Sequence, residues 1–140
     1  MDDAEIIIRE AFDHGASRVS LLRAAAAAIR AVALPENSDV LSAIESVERW
    51  LVDPNDNNAR DVKNAEVEIL KLLNQECDGR TGLRPNEWLI AAVAMLCFGC
   101  GFEMFEGADD HPAVCAVEYV CKAASGLTVD LGPIVTAELL

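Results

Sequence analysis

The sequence predicts an all-α protein, a single domain over residues 1–140 built as a bundle of six or seven helices around a central apolar helix at about 86–98. Three observations lead there. From Trp88 to Phe98 eleven consecutive residues are apolar, and a helix that is apolar on every side is stable in water only when other elements wrap it. Wherever apolar residues recur with a period, the period is close to 3.6, and no stretch alternates in the two-residue rhythm of a strand. Glycines, prolines and capping residues divide the chain into segments of helical length.

The first predicted helix covers about 3–14, with Asp2 or Asp3 as cap, Ile7, Ile8, Ala11 and Phe12 inward, and Gly15 as its stop. The second runs from Ser17 to about Ala33; Val19, Leu22, Ala26, Ile29 and Ala33 share a face, and Pro35 ends it. Its run from Ala24 to Ala28 forms helix readily and is thin enough for close packing. A third helix is expected to cap at Ser38, with Val40, Leu41, Ile44, Val47 and Leu51 inward, before Asp53-Pro54. The fourth, about 55–76, places Val62, Ala65, Ile69, Leu72 and Leu73 on one face. Residues 78–85, with two glycines and a proline, read as a linker. After the central helix a loop is expected over 99–110. A sixth helix then starts with an Asp110 cap and Pro112 at its first position and runs to Ser125 with Gly126 as C-cap. A short helix from Pro133 to the end completes the set.

Charge narrows the classes of partner. The chain carries 24 acidic and 11 basic residues, a formal net charge of -13. Such a surface opposes a phosphate backbone, whose binding depends on Lys and Arg displacing counterions. Neither nucleic acid nor an anionic membrane is expected as a partner. Residues 91–140 hold seven carboxylates, Glu103, Glu106, Asp109, Asp110, Glu118, Asp130 and Glu138, against the single base Lys122. This negative pole would steer a basic protein toward it. The acidic opening Met-Asp-Asp-Ala-Glu is unlike a secretory signal, and eleven apolar residues fall well short of the ~20 that span a bilayer. The expected location is cytoplasmic, where the five cysteines stay reduced.

The succession Trp50-Leu51-Val52-Asp53-Pro54, Ala59-Arg60 and Pro85-Asn86-Glu87-Trp88-Leu89-Ile90-Ala91-Ala92, closing on the glycine-containing turn at Gly99 to Gly101, resembles an uncharacterised family of small helical bacterial proteins over about residues 47–102. In this chain the turn reads Gly-Cys-Gly-Phe, where the family pattern has glycines followed by a small polar residue. The family has no assigned activity, so the resemblance implies an all-helical fold and a bacterial origin, with at most a hint of a link to secretion apparatus.

Cys97-Phe98-Gly99-Cys100 is the sharpest chemical motif. A redox Cys-x-x-Cys places its first sulfur at a helix N-terminus, where the dipole lowers the thiol pKa. This one falls at the opposite end of the central helix, where the dipole opposes a thiolate. A structural metal would need Cys97 and Cys100 to meet Cys115 and Cys121, whose wider spacing does not repeat the first pair's. The expected state is buried free thiols, with no cofactor and no enzymatic activity. A small metal- or thiol-dependent protein using these four cysteines is the alternative. His14 reads as a favourable charge at a helix C-terminus. His111, near Glu103, Glu106, Asp109 and Asp110, reads as part of a solvated acidic loop. Trp50 and Trp88 read as packing residues, Trp50 half covered at its helix end.

The remaining feature is apolar bulk among charges in Gly101-Phe102-Glu103-Met104-Phe105-Glu106-Gly107. Aromatic and methionine side chains ringed by charge have the composition of interaction hot spots. The expected function is a non-enzymatic interaction module, an adaptor, secretion-associated chaperone or immunity-type protein, that binds a basic protein through Phe102, Glu103, Met104, Phe105, Glu106, Asp109 and Asp110. Self-association through the same residues is the competing use of the patch, and pinning of the loop to the core is the alternative to either.

Overall fold

Side-chain caps decide where most of the helices begin. The computed structural model describes residues 3–32, 37–77, 82–101, 111–124 and 130–139. These form seven helices and, among the described residues, no strand: α1 (Asp3–Asp13), α2 (Arg18–Ala31), α3 (Ser38–Val52), α4 (Asp56–Cys77), α5 (Pro85–Gly101), α6 (Pro112–Ala123) and α7 (Gly132–Leu139). Ser17 Oγ accepts from the Ser20 amide at 3.2 Å, and Asn55 Oδ1 from the Asn58 amide at 2.8 Å. Each satisfies one of the amides that a helix leaves unpaired at its start. The expected cap at Ser38 moves back one residue, because Asn37 Oδ1 takes the amides of Asp39 at 2.8 Å and Val40 at 3.4 Å. At α5 the carboxylate of Glu87 reaches back to the Arg84 amide at 3.2 Å, one half of a capping box.

Two predicted boundaries change for identifiable reasons. Helix α5 does not stop at Phe98 but continues through Gly99 and Cys100 to Gly101. Gly99 serves packing here: a Cβ on it would stand 2.5 Å from Leu22 Cδ2 and 3.3 Å from Pro112 Cβ. The missing side chain lets α5 lie directly on α2 and on the first turn of α6. At α6 the cap is His111 rather than Asp110, its Nδ1 accepting from the Ala113 amide at 3.0 Å, with Pro112 in the first turn as expected. Gly15, at φ +85°, ends α1 as predicted, and His14 Nδ1 lies 2.7 Å from the Glu10 carbonyl oxygen in the last turn. Helix α6 ends at Ala123 with Ala124 as its C-cap, short of the predicted end at Ser125 with a Gly126 cap, and Ser125 and Gly126 lie outside the described residues.

The bundle has two inner helices. Helix α5 packs against α2, α3, α4 and α6, so its apolar sides are met from several directions. Leu89, Ala92, Val93 and Leu96 are buried, as the wrapped-helix argument requires. Helix α2 packs against α1, α3, α5, α6 and α7. Ala24, Ala25, Ala26 and Ala28 are buried there, and their small size allows neighbours to approach from so many directions. The α4 and α5 helices run antiparallel, since Glu76 lies with Pro85 to Glu87 at one end while Ala59 to Glu66 lie with Cys97 and Phe98 at the other. On the outside, Arg30 of α2 grips Glu48 of α3 with two bonds of 3.1 and 2.6 Å.

Three inward assignments are corrected. Leu41 and Phe98 are exposed, and Trp50 is fully buried rather than half covered. Trp50 lies inward on α3 with the Arg18 guanidinium 5.3 Å from its ring centre. Trp88 is partly buried, packed 5.2 Å from Tyr119 and faced by the Lys122 ammonium at 4.5 Å. Among the described residues, no helix is long and apolar enough to cross a membrane.

Candidate functional site

The predicted binding residues Phe102, Glu103, Met104, Phe105, Glu106, Asp109 and Asp110 lie outside the described residues. What the structure does describe is the end of α5 and the start of α6 on either side of this segment. A Cβ built on Gly99 would stand 3.3 Å from Pro112 Cβ, so the end of α5 and the start of α6 lie side by side. His111, buried and 5.9 Å from the Phe12 ring, holds the start of α6. Burial, and secondarily the Arg18 charge, push the pKa of its imidazole down, which keeps Nδ1 available as the acceptor that caps α6. The acidic-loop reading of His111 is thereby replaced by a structural one.

Immediately before that segment, α5 turns one large side chain outward. Phe98 is 45% exposed although Cys97, Gly99 and Cys100 around it are buried. Its ring borders a groove of about 420 Å³ between α4 and α5, lined also by Ala59, Arg60, Lys63, Glu66 and Cys97. Val67 and Leu70 stand four and seven residues beyond Lys63 on the same side of α4 and are 47% and 45% exposed. Glu66, partly desolvated against this groove, has its carboxyl pKa raised by burial, with Lys63 acting in the opposite direction. Phe98 escaped the sequence reading because every position of an all-apolar segment looks alike. Val67 and Leu70 did carry a signal, since they fall off the stripe that holds Val62 and Ile69.

Cys97 and Cys100 sit in the last two turns of α5, and both are buried. Burial pushes the Cys100 thiol up to about 12 and the Cys97 thiol higher still, and each is raised further by the Glu66 charge. The cause is desolvation first, where the sequence argument named the helix dipole. None of the five cysteines is in a disulfide. Cys97, Cys100, Cys115 and Cys121 are not brought together: among the described residues, no three His, Cys, Asp or Glu side chains converge in a group able to hold a metal. Thiols held this far from ionisation are poor nucleophiles at neutral pH.

A second groove, of about 600 Å³, lies between α1 and α7. Its floor and walls are largely apolar, and Asp3 and Asp130 stand together where α7 begins. No family model, curated protein or solved structure matches this chain.

Proposed function

We propose that this protein is a non-enzymatic interaction module that binds a basic surface of another protein. The observation that carries the reading is Phe98, a large aromatic side chain turned to solvent at the end of a helix whose neighbouring residues are sealed. Exposing it forgoes a core contact, and exposed aromatic surface beside other apolar residues marks interaction sites on soluble proteins. Val67 and Leu70 add exposed apolar side chains on the side of α4 that carries Lys63, while Arg60, Lys63 and Glu66 supply a polar rim to the groove. In the chain Phe98 stands four residues before Phe102, with Met104 and Phe105 close behind, so the stretch 98–105 supplies all four proposed anchors. The net charge of -13 selects a partner of opposite sign and accelerates its approach at low salt. Adaptor, secretion-associated chaperone and immunity-type roles all use such a surface.

The test begins with ultracentrifugation of the isolated protein, which separates self-association from binding to another chain. The immobilised protein is then exposed to extract from its source cells at low ionic strength. The reading expects a basic protein to be retained, released by salt, and lost from Phe98→Ser protein whose thermal unfolding is unchanged. Amides at Glu103, Glu106, Asp109 and Asp110 should slow association more than they speed dissociation. Retention by Phe98→Ser and the amide variant equal to wild type, or no retention at all, sinks the proposal.

A further inference from the structure

The groove between α1 and α7 has a chemistry different from the one beside Phe98. Ile6, Ile7, Pro133 and Ala137 line it, and Ile6 is exposed although Ala4 and Ile8 on the same helix are buried. At the start of α7 the two acidic residues approach one point: the position a Gly132 Cβ would take lies 3.3 Å from Asp130 Oδ1 and 3.5 Å from Asp3 Cβ. No Lys or Arg is among the described residues that line the groove. The groove beside Phe98, by contrast, balances Asp56 and Glu66 against Arg60 and Lys63. Asp130 Oδ1 accepts from the Gly132 amide at 3.1 Å, which fixes the carboxylate at the groove's rim.

We propose that this groove receives an arginine or lysine side chain from the basic protein partner, an inference that rests on the partner-binding reading. Long basic side chains carry an apolar stem and a charged head, and they lie along apolar surface with the head in a polar position. The stem covers Ile6, Ile7, Pro133 and Ala137, and the head sits between Asp3 and Asp130. A guanidinium is favoured over an ammonium because its planar fork can bond two carboxylates at once. Gly132 adds room at this point, since no side chain intrudes between the two acids. An acidic peptide or a fatty acid would meet two like charges with no cation among the described lining residues to offset them, so neither fits.

The probe is a capped Leu-Arg-Leu peptide, with the same peptide carrying citrulline for arginine as its neutral isostere, titrated into isotopically labelled protein. The arginine peptide should shift the amide resonances of Ile6, Ile7, Gly132 and Ala137, and citrulline should weaken it by about tenfold. Asp3→Asn combined with Asp130→Asn should weaken the arginine peptide by a similar factor and leave the citrulline peptide unchanged. Asparagine retains the oxygen that caps α7, so folding is preserved. Shifts centred on Phe98, or equal binding of both peptides, would overturn the groove assignment. Capture of a protein partner with unaltered rate by the Asp3→Asn, Asp130→Asn variant would also overturn it while leaving partner binding intact. Occupation of the groove by the arginine peptide without capture of any protein partner would do the reverse.

Discussion

Helices α4 and α5 pack side by side and answer to opposite rules. Among the described residues α4 buries Val62 and Ile69 fully, and it leaves Val67 and Leu70 in water. Its neighbour α5 buries nearly everything from Leu89 to Leu96 and has no polar stripe to present. A one-sided helix can be oriented from its own sequence, because the arrangement that buries its apolar stripe is unique. A helix apolar all round has no preferred side. Its neighbours choose which positions are sealed, and here they leave Phe98 outside. The same residue type thus carries different information in the two helices: an exposed valine in α4 is an exception to a pattern, whereas an exposed phenylalanine in α5 breaks no pattern at all.

Introducing a charge gives the largest expected contrast. Val93→Asp in α5 should abolish folding, because an ionised carboxylate would sit unpaired in the core. Val67→Asp in α4 should leave the circular dichroism spectrum and gel-filtration volume unchanged. If both variants fold, α5 is not the wrapped helix described here. Truncation should separate the two faces of α4 next: Ile69→Ala should cost about 2–5 kcal/mol in denaturant unfolding, and Leu70→Ala no more than about 0.5 kcal/mol. Equal losses would mean that α4 lies on the bundle in a different rotation.

Gly99→Ala should cost about 1–3 kcal/mol, because the new methyl group would press on Leu22, itself fully buried, and on Pro112. Paired with Leu22→Ala, the same change should cost less than the sum of the two, and simple additivity would show that no such contact limits the helix approach. The thiols give a contrast absent at neutral pH. Cys97 and Cys100 of α5 are protonated in the fold well above the ordinary thiol value of about 8.5. Above that value the unfolded chain loses these protons and the folded chain keeps them, so the stabilisation is complete below pH ~8.5 and is lost as pH rises toward the folded values. Alanine at both positions should flatten this alkaline decline in stability. Serine would serve less well, because it would bury two hydroxyls. A decline of equal steepness in the alanine variant would place its origin elsewhere.

Much of the fold was legible because each helix announces itself through period and punctuation. Ile8, Leu22, Ile29, Ile44, Val47, Val62 and Ile69 all reach the core faces that their spacing assigned. The misreadings share a cause. Gly99 looked like a stop, since glycine so often ends helices, but packing against Leu22 and Pro112 gives it a reason to stand inside one. His111 looked like part of an acidic loop, and Asp110 like the cap, because both caps satisfy the same local rule and only the burial of the imidazole against Phe12 separates them. The grooves were beyond reach for another reason: Asp3 and Asp130 are distant in sequence and meet only because α1 and α7 are neighbours.

By itself, then, the chain's pattern determined an all-helical architecture, the approximate span of its helices with their number left at six or seven, and the need to enclose the apolar segment of α5. These follow from local periodicity and from the solvation cost of apolar surface, both of which act on any conformation the chain adopts. Tertiary structure decided which side of α5 faces out, why a glycine belongs within it, how high the thiol pKa values rise, and which distant carboxylates share a groove. Each of those depends on how closely a neighbouring helix approaches, and helix approach is set by the fit of side chains across the whole core.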